Sequence, residues 1–151
     1  MANQDEMKVV IKCNKINKAF MEFHKKDITE TLKELKYDKD IIDKYYDCCD
    51  ENFLGILPIL FIKPNEVSKF IKCYDIAWRS FIQYMDYDEA NQELTLYYLS
   101  GDGGDKDFFK TLHKTFPDKI QGGVVTISDD LYDEEREFLI DDYGEDFEIK
   151  F

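Results

Sequence analysis

Histidine and proline are scarce in this sequence, and basic residues are far outnumbered by acids. Its 151 residues include two histidines, three prolines, and 20 Lys plus Arg against 33 Asp plus Glu. The formal net charge is therefore −13. Affinity for DNA or RNA comes chiefly from Lys and Arg that neutralise phosphates, so we expect no direct nucleic-acid partner. The same charge disfavours binding to an anionic membrane through a basic surface helix.

Long hydrophobic runs are also missing. The longest apolar run, Phe53 to Ile62, has ten residues and contains Gly55 and Pro58, whereas a helix that spans a bilayer needs about 20. Residues 1–6 lack the charged and then apolar layout of a signal peptide. We therefore expect a cytoplasmic protein with reduced cysteines.

The sequence carries no complete catalytic or metal-binding motif. Cys48 and Cys49 are adjacent and cannot form a C-x-x-C pair, and neither Cys13 nor Cys73 completes a zinc spacing. A nucleophilic cysteine would need a base, and the sequence offers only His24 and His113, each beside lysines. We expect structural thiols, no cofactor, and a protein that is not an enzyme.

Hydrophobic residues nevertheless make up 44% of the chain and aromatic residues 15%, which is too apolar for wholesale disorder. The length fits one domain over residues 1–151, with a possible subdivision into a helix-rich part, 1–75, and a sheet-rich part, 76–151. We predict an α+β fold, in which helices pack on one face of a mainly antiparallel sheet and the second half has the order ββαβββ.

Local patterns place the elements of this fold. A short β-branched run predicts a strand at 8–13, and alternation with period two predicts a hairpin of 81–87 with 93–99 around a turn at 88–92. Another strand is expected at 120–128, bent at Gly122-Gly123, and a terminal hairpin of 138–140 with 147–151 completes the chain. The apolar run predicts a buried strand or extended segment around 59–62. Helical spacing predicts helices in pieces between 17 and 49, after Asn65, and from Asp105 to Phe116. Asp40, Asn65 and Asp105 are the expected N-caps.

Residues 129–148, called the acidic segment below, contain 11 acids and one base, Arg136. Apolar residues are interleaved with these acids, and Phe147, Ile149 and Phe151 alternate as in a half-buried strand. We therefore predict a folded, acid-coated hairpin. The expected partner-binding residues are Asp129, Asp130, Tyr132, Asp133, Glu134, Glu135, Asp141, Asp142, Tyr143, Glu145 and Asp146.

Such a surface suggests a protein that masks a basic partner. A six-residue strand spans about 20 Å, and duplex DNA of that length carries about 12 phosphate charges. The expected partner is a basic protein such as a nuclease, a toxin or another nucleic-acid-binding protein, by physical analogy with immunity proteins and DNA-mimicking inhibitors. In the alternative interpretation the acids only protect a strand edge and aid solubility, and the chain is a generic adaptor.

The loop at 100–107 provides an alternative from another class. Its carboxylates, Asp102, Asp105 and Asp107, are weak candidates for divalent-cation ligands in a small metal-dependent enzyme. The loop matches neither the dinucleotide-binding motif, the phosphate-binding P-loop nor the twelve-residue calcium loop. An ordinary turn that caps a helix is the favoured interpretation.

Overall fold

The computed structural model describes residues 5–21, 28–46, 53–74, 76, 80–101, 105–128 and 148–151. Its strands are β1 (Asp5–Cys13), β2 (Ser80–Asp88), β3 (Glu93–Ser100), β4 (Ile120–Ile127) and β5 (Ile149–Lys150). Its α-helices are α1 (Ile28–Glu34), α2 (Lys39–Tyr46), α3 (Val67–Tyr74) and α4 (Lys106–Thr115). Two 3₁₀ helices lie at Lys18–Phe20 and Leu54–Leu60.

The strands form one antiparallel sheet in the order β2-β3-β1-β4-β5. Strand β1 comes from the helix-rich first half of the chain, yet it lies at the centre of the sheet between β3 and β4. This arrangement confirms the predicted α+β fold with an antiparallel sheet.

One face of the sheet is buried beneath the helices. Alternate residues of β1, namely Met7, Val9, Ile11 and Cys13, are fully buried. The Tyr98 ring of β3 lies 5.7 Å from the ring of Phe109 in α4, between centroids. Period-two alternation in the strands and helical periodicity in α4 therefore direct apolar side chains into one shared core.

The other residues of each strand form the opposite face, called the open face below. In β1 these are Glu6, Lys8, Val10 and Lys12, which are half-buried or exposed. The open face is thus mixed in character, unlike the apolar face under the helices.

The sequence predicted the β2–β3 hairpin and its turn correctly. Strand β2 pairs with β3 up to Asp88 opposite Glu93. The turn is closed by Asp88, whose carboxylate accepts hydrogen bonds from the backbone N–H and the side-chain amide of Asn91, at 3.2 and 2.7 Å. A register shift between Ile82 and Tyr84 marks a bulge in β2 that the sequence did not predict.

The prediction of a strand or extended segment around 59–62 is wrong. Residues Leu54–Leu60 form a fully buried 3₁₀ helix, and the N–H groups of Phe61 and Ile62 both donate to the carbonyl of Pro58, at 2.9 and 3.0 Å. A continuous apolar run has no period that separates helix from strand. Pro58 also lacks the N–H that an internal strand needs.

The predicted caps of two helices also need correction. At α2, the Asp38 carboxylate accepts from the N–H of Asp40 at 2.9 Å, so the cap is Asp38, two residues before the predicted one. Asp105 does precede α4, but its side chain makes no capping hydrogen bond and its backbone is left-handed, with φ 57°. Its carboxylate accepts from Ser100 instead.

Candidate functional site

The expected partner-binding residues, from Asp129 to Asp146, lie outside the residues that the structure describes, as does the predicted strand at 138–140. The structure does describe both flanks of the acidic segment. The preceding flank is Ser128, which directly follows β4, and the following flank is Ile149 in β5. These two flanks show where the acidic segment joins the sheet.

Both flanks are hydrogen-bonded into the sheet. The backbone N–H of Ser128 donates to the carbonyl of Glu6, at 3.0 Å. Strand β5 pairs with β4 through Ile149 opposite Val125. Phe151 and Gly123 exchange two further backbone hydrogen bonds of 2.9 and 3.0 Å. Both described flanks of the acidic segment are therefore held in one sheet.

Two glycines of β4 make room for the end of the chain. A Cβ atom on Gly123 would lie 2.5 Å from Cζ of Phe151, and one on Gly122 would lie 2.6 Å from the carbonyl oxygen of Phe151. Gly122 also has a φ of +144°, which other residues rarely adopt. Because the Cβ atoms are absent, the Phe151 ring stacks on Phe109 of α4 at 5.2 Å. The Gly122-Gly123 pair, predicted as a bend, thus leaves the space in which Phe151 packs against β4.

The two described carboxylates of the 100–107 loop lie in different environments. Asp105 is buried, and it accepts a hydrogen bond of 2.7 Å from the Ser100 hydroxyl. Burial and then the negative charge of Asp105 raise the pKa of the neighbouring Tyr98. Asp107 is exposed on α4, and Asp102 lies outside the described residues. Across the described ranges, no three His, Cys, Asp or Glu side chains cluster closely enough to hold a metal ion.

The described cysteines are free thiols inside the core. Burial raises the pKa of Cys13 to about 12, and burial also raises the pKa of Cys73, whose Sγ lies 3.6 Å from the Thr115 hydroxyl. A thiol becomes nucleophilic as its pKa falls, so both cysteines have the properties of structural rather than reactive thiols.

The other residues considered for cysteine chemistry give no further geometry. Cys48, Cys49 and His24 fall outside the described residues, and His113 is half-buried on α4.

An aromatic and cationic row crosses the open face of the sheet. Tyr84 of β2 lies opposite Tyr97 of β3, which lies opposite Lys8 of β1. The two tyrosine rings are 6.2 Å apart, and the Lys8 ammonium lies 5.6 Å from the centroid of the Tyr97 ring. Sequence analysis missed this row. The alternation within each strand is a sufficient signal for which residues share a face, but it does not reveal that β1 lies beside β3.

None of the helices in the described ranges is long and apolar enough to cross a membrane. No protein-family model matches the chain. We also find no curated protein and no solved structure with significant similarity to it.

Proposed function

We propose that this chain is a non-enzymatic cytoplasmic protein whose acidic segment masks a basic surface of a partner protein, such as a nuclease, a toxin or another nucleic-acid-binding protein. The observation that carries the proposal is the concentration of charge. Of the 33 acids in the chain, 11 lie between residues 129 and 148, beside a single base. No other stretch of this length is as acidic.

The attachment of the flanks supports this proposal. Ser128, directly after β4, is hydrogen-bonded to Glu6 of β1, and Ile149 of β5 pairs with β4 of the same sheet. A segment fixed at both ends loses less conformational freedom on binding than a free tail does. Clustered carboxylates also attract a cationic partner over about 10 Å at moderate salt, which speeds association.

The buried groups support a role without catalysis. Cys13 and Cys73 are inside the core with raised pKa values, and Asp105 is hydrogen-bonded to Ser100. A nucleophilic thiol needs a lowered pKa, whereas burial raises the pKa of both described cysteines. Contact with a protein through complementary charge requires none of these groups.

Affinity capture with matched baits tests the proposal. A segment variant replaces four acids of the acidic segment by lysine: Asp141, Asp142, Glu145 and Asp146. A helix-face variant replaces four exposed acids of α1 and α2 by lysine: Glu30, Glu34, Asp40 and Asp43. The two variants change the net charge equally. Captured proteins are identified by mass spectrometry at low and at high salt.

We expect the wild-type and helix-face baits to recover the same basic protein at low salt, and the segment variant to lose it. Recovery of that protein by all three baits would place the contact elsewhere. Recovery of no basic protein by the wild-type bait, across a range of bait concentrations, would refute the masking role.

A further inference from the structure

The outer edge of β2 has no neighbouring strand in the part of the chain that the structure describes. Strand β2 spans nine residues, whereas β5, at the opposite edge, spans two. The beginning of β2 contacts the 3₁₀ helix Leu54–Leu60, since the Ser80 hydroxyl accepts from the N–H of Leu54 at 2.9 Å. From the bulged residue Gln83 to Asp88, the strand is mostly exposed. Such an edge presents backbone N–H and C=O groups that can pair with another strand.

This edge carries negative charge only. Residues 80–92 contain Asp86, Asp88 and Glu89 and no Lys or Arg. Glu89 forms an ion pair with Lys18, which leaves Asp86 and Asp88 as exposed charges along the strand. The hydrogen bonds from Asn91 lower the pKa of Asp88, so this carboxylate is ionised at neutral pH.

The alternation of β2 places its exposed side chains in line on the open face. Tyr84, Asp86 and Asp88 lie opposite Tyr97, Thr95 and Glu93 of β3, and Tyr84 is 56% exposed. A strand added to this edge would place every second side chain beside this line. On the same face, Lys8 already makes a cation–π contact with Tyr97. A lysine or arginine of an added strand can make the same contact with Tyr84.

The charge of the edge selects against a second copy of this chain. Antiparallel pairing of two β2 edges would bring the acids of one copy beside those of the other, and like charges opposite each other destabilise a sheet. Natural edge strands often carry lysine, which repels further strands. Here the protecting residues are all acids, so they repel an acidic strand and attract a basic one.

We propose that the β2 edge accepts an extended, lysine- or arginine-bearing segment of a partner protein as a sixth strand of the sheet. This proposal rests on the proposed function in one respect, namely that the partner is basic. Backbone hydrogen bonds supply the affinity of such an added strand, and the side chains on alternate positions supply its selectivity. Asp86, Asp88 and Tyr84 are the selecting side chains.

The test uses a seven-residue peptide of alternating lysine and valine as the probe. Its binding to the full chain at low salt is followed by NMR, through chemical shifts and amide exchange. A control peptide has the same sequence and charge but carries an N-methyl group on every peptide nitrogen, which removes the hydrogen-bond donors of both its edges. The protein variants are Asp86→Lys on β2 and, as a matched control, Asp107→Lys on α4, both at exposed positions.

We expect the peptide to shift and protect amides of Gln83–Tyr87, and Asp86→Lys to weaken binding at least about fivefold. Asp107→Lys should change binding less than about twofold, because Asp107 lies on α4, which packs on the buried face of the sheet, whereas the probe binds at the β2 edge. The N-methylated peptide should not protect the β2 amides. Equal binding of both peptides, equal weakening by both substitutions, or no binding of the probe would each overturn the proposal.

This test and the capture experiment have separate outcomes. If the probe protects β2 but the wild-type bait recovers no basic protein, the strand-accepting edge stands and the masking role falls. If a basic protein is captured through the acidic segment but the probe leaves β2 unaffected, the masking role stands and the strand-accepting edge falls.

Discussion

At the scale of single residues, burial determines which chemical groups are available to bind a ligand or react. Asp105 is a carboxylate in the 100–107 loop that sequence reasoning named as a weak metal ligand and a helix cap. In the structure it is 5% exposed and bonded to Ser100. Its spacing from Phe108 and Phe109 predicted the beginning of α4 correctly. The local pattern did not predict its left-handed backbone or its hydrogen bond to Ser100.

Cys13 provides a prediction at this scale. Its pKa is about 12 in the folded protein against an ordinary 9.0, because burial favours the neutral thiol. Its contribution to stability is complete below pH 9 and is lost as the pH rises towards 12, since the thiol of the unfolded chain deprotonates first. Between about pH 8 and about pH 10 the free energy of unfolding should fall by about 1 kcal/mol through this residue.

Urea unfolding across this pH range measures the effect. Cys13→Ala is the control, because it removes the titrating group while other buried groups, such as Cys73 and Tyr98, titrate as before. The variant should show a shallower decline than the wild type. Identical declines in the two proteins would show that Cys13 does not titrate in this way.

At the scale of elements, the hydrophobic periodicity of short stretches predicted the positions of individual strands. The strands predicted at 81–87, 93–99 and 120–128 are confirmed as β2, β3 and β4. Every second residue of β3 is buried, whereas the alternation of buried residues is interrupted in β2 and β4. The 3₁₀ helix Leu54–Leu60 was missed, since all its residues are buried and no alternation distinguishes a strand. The strand order was not predictable either, because β1 pairs with strands more than 80 residues away.

The close packing of Phe151 against Gly123 gives a prediction at this scale. A methyl group at position 123 would meet both the Phe151 ring, at 2.5 Å, and the Val10 carbonyl, at 2.6 Å. Gly123→Ala should therefore lower the free energy of unfolding by about 1–3 kcal/mol, the usual cost of overpacking. It should also accelerate amide exchange in β5. Gln121→Ala, at an exposed neighbouring position, should stay within about 0.5 kcal/mol. An unchanged urea midpoint for Gly123→Ala would contradict the close packing of Phe151 against Gly123.

At the scale of the whole molecule, charge is distributed unevenly. Residues 1–75 carry 14 acids and 13 bases, and residues 76–151 carry 19 acids and seven bases. The acidic segment accounts for 11 of those 19 acids. Composition was sufficient to predict this asymmetry and to disfavour nucleic acid as a partner. The identity of the edge strand required the sheet order, so the aromatic row and the acid-only edge of β2 emerged only from the structure.

The association rate of the captured basic partner measures the masking role most directly. Stopped-flow or surface-based kinetics would compare the wild type, the segment variant and the helix-face variant across a series of salt concentrations. The masking role predicts that the segment variant associates at least about tenfold more slowly at low salt, with the difference closing at high salt, because steering depends on local charge. The helix-face variant should stay within about threefold of the wild type. Equal slowing of both variants would contradict the masking role and assign the attraction to net charge alone.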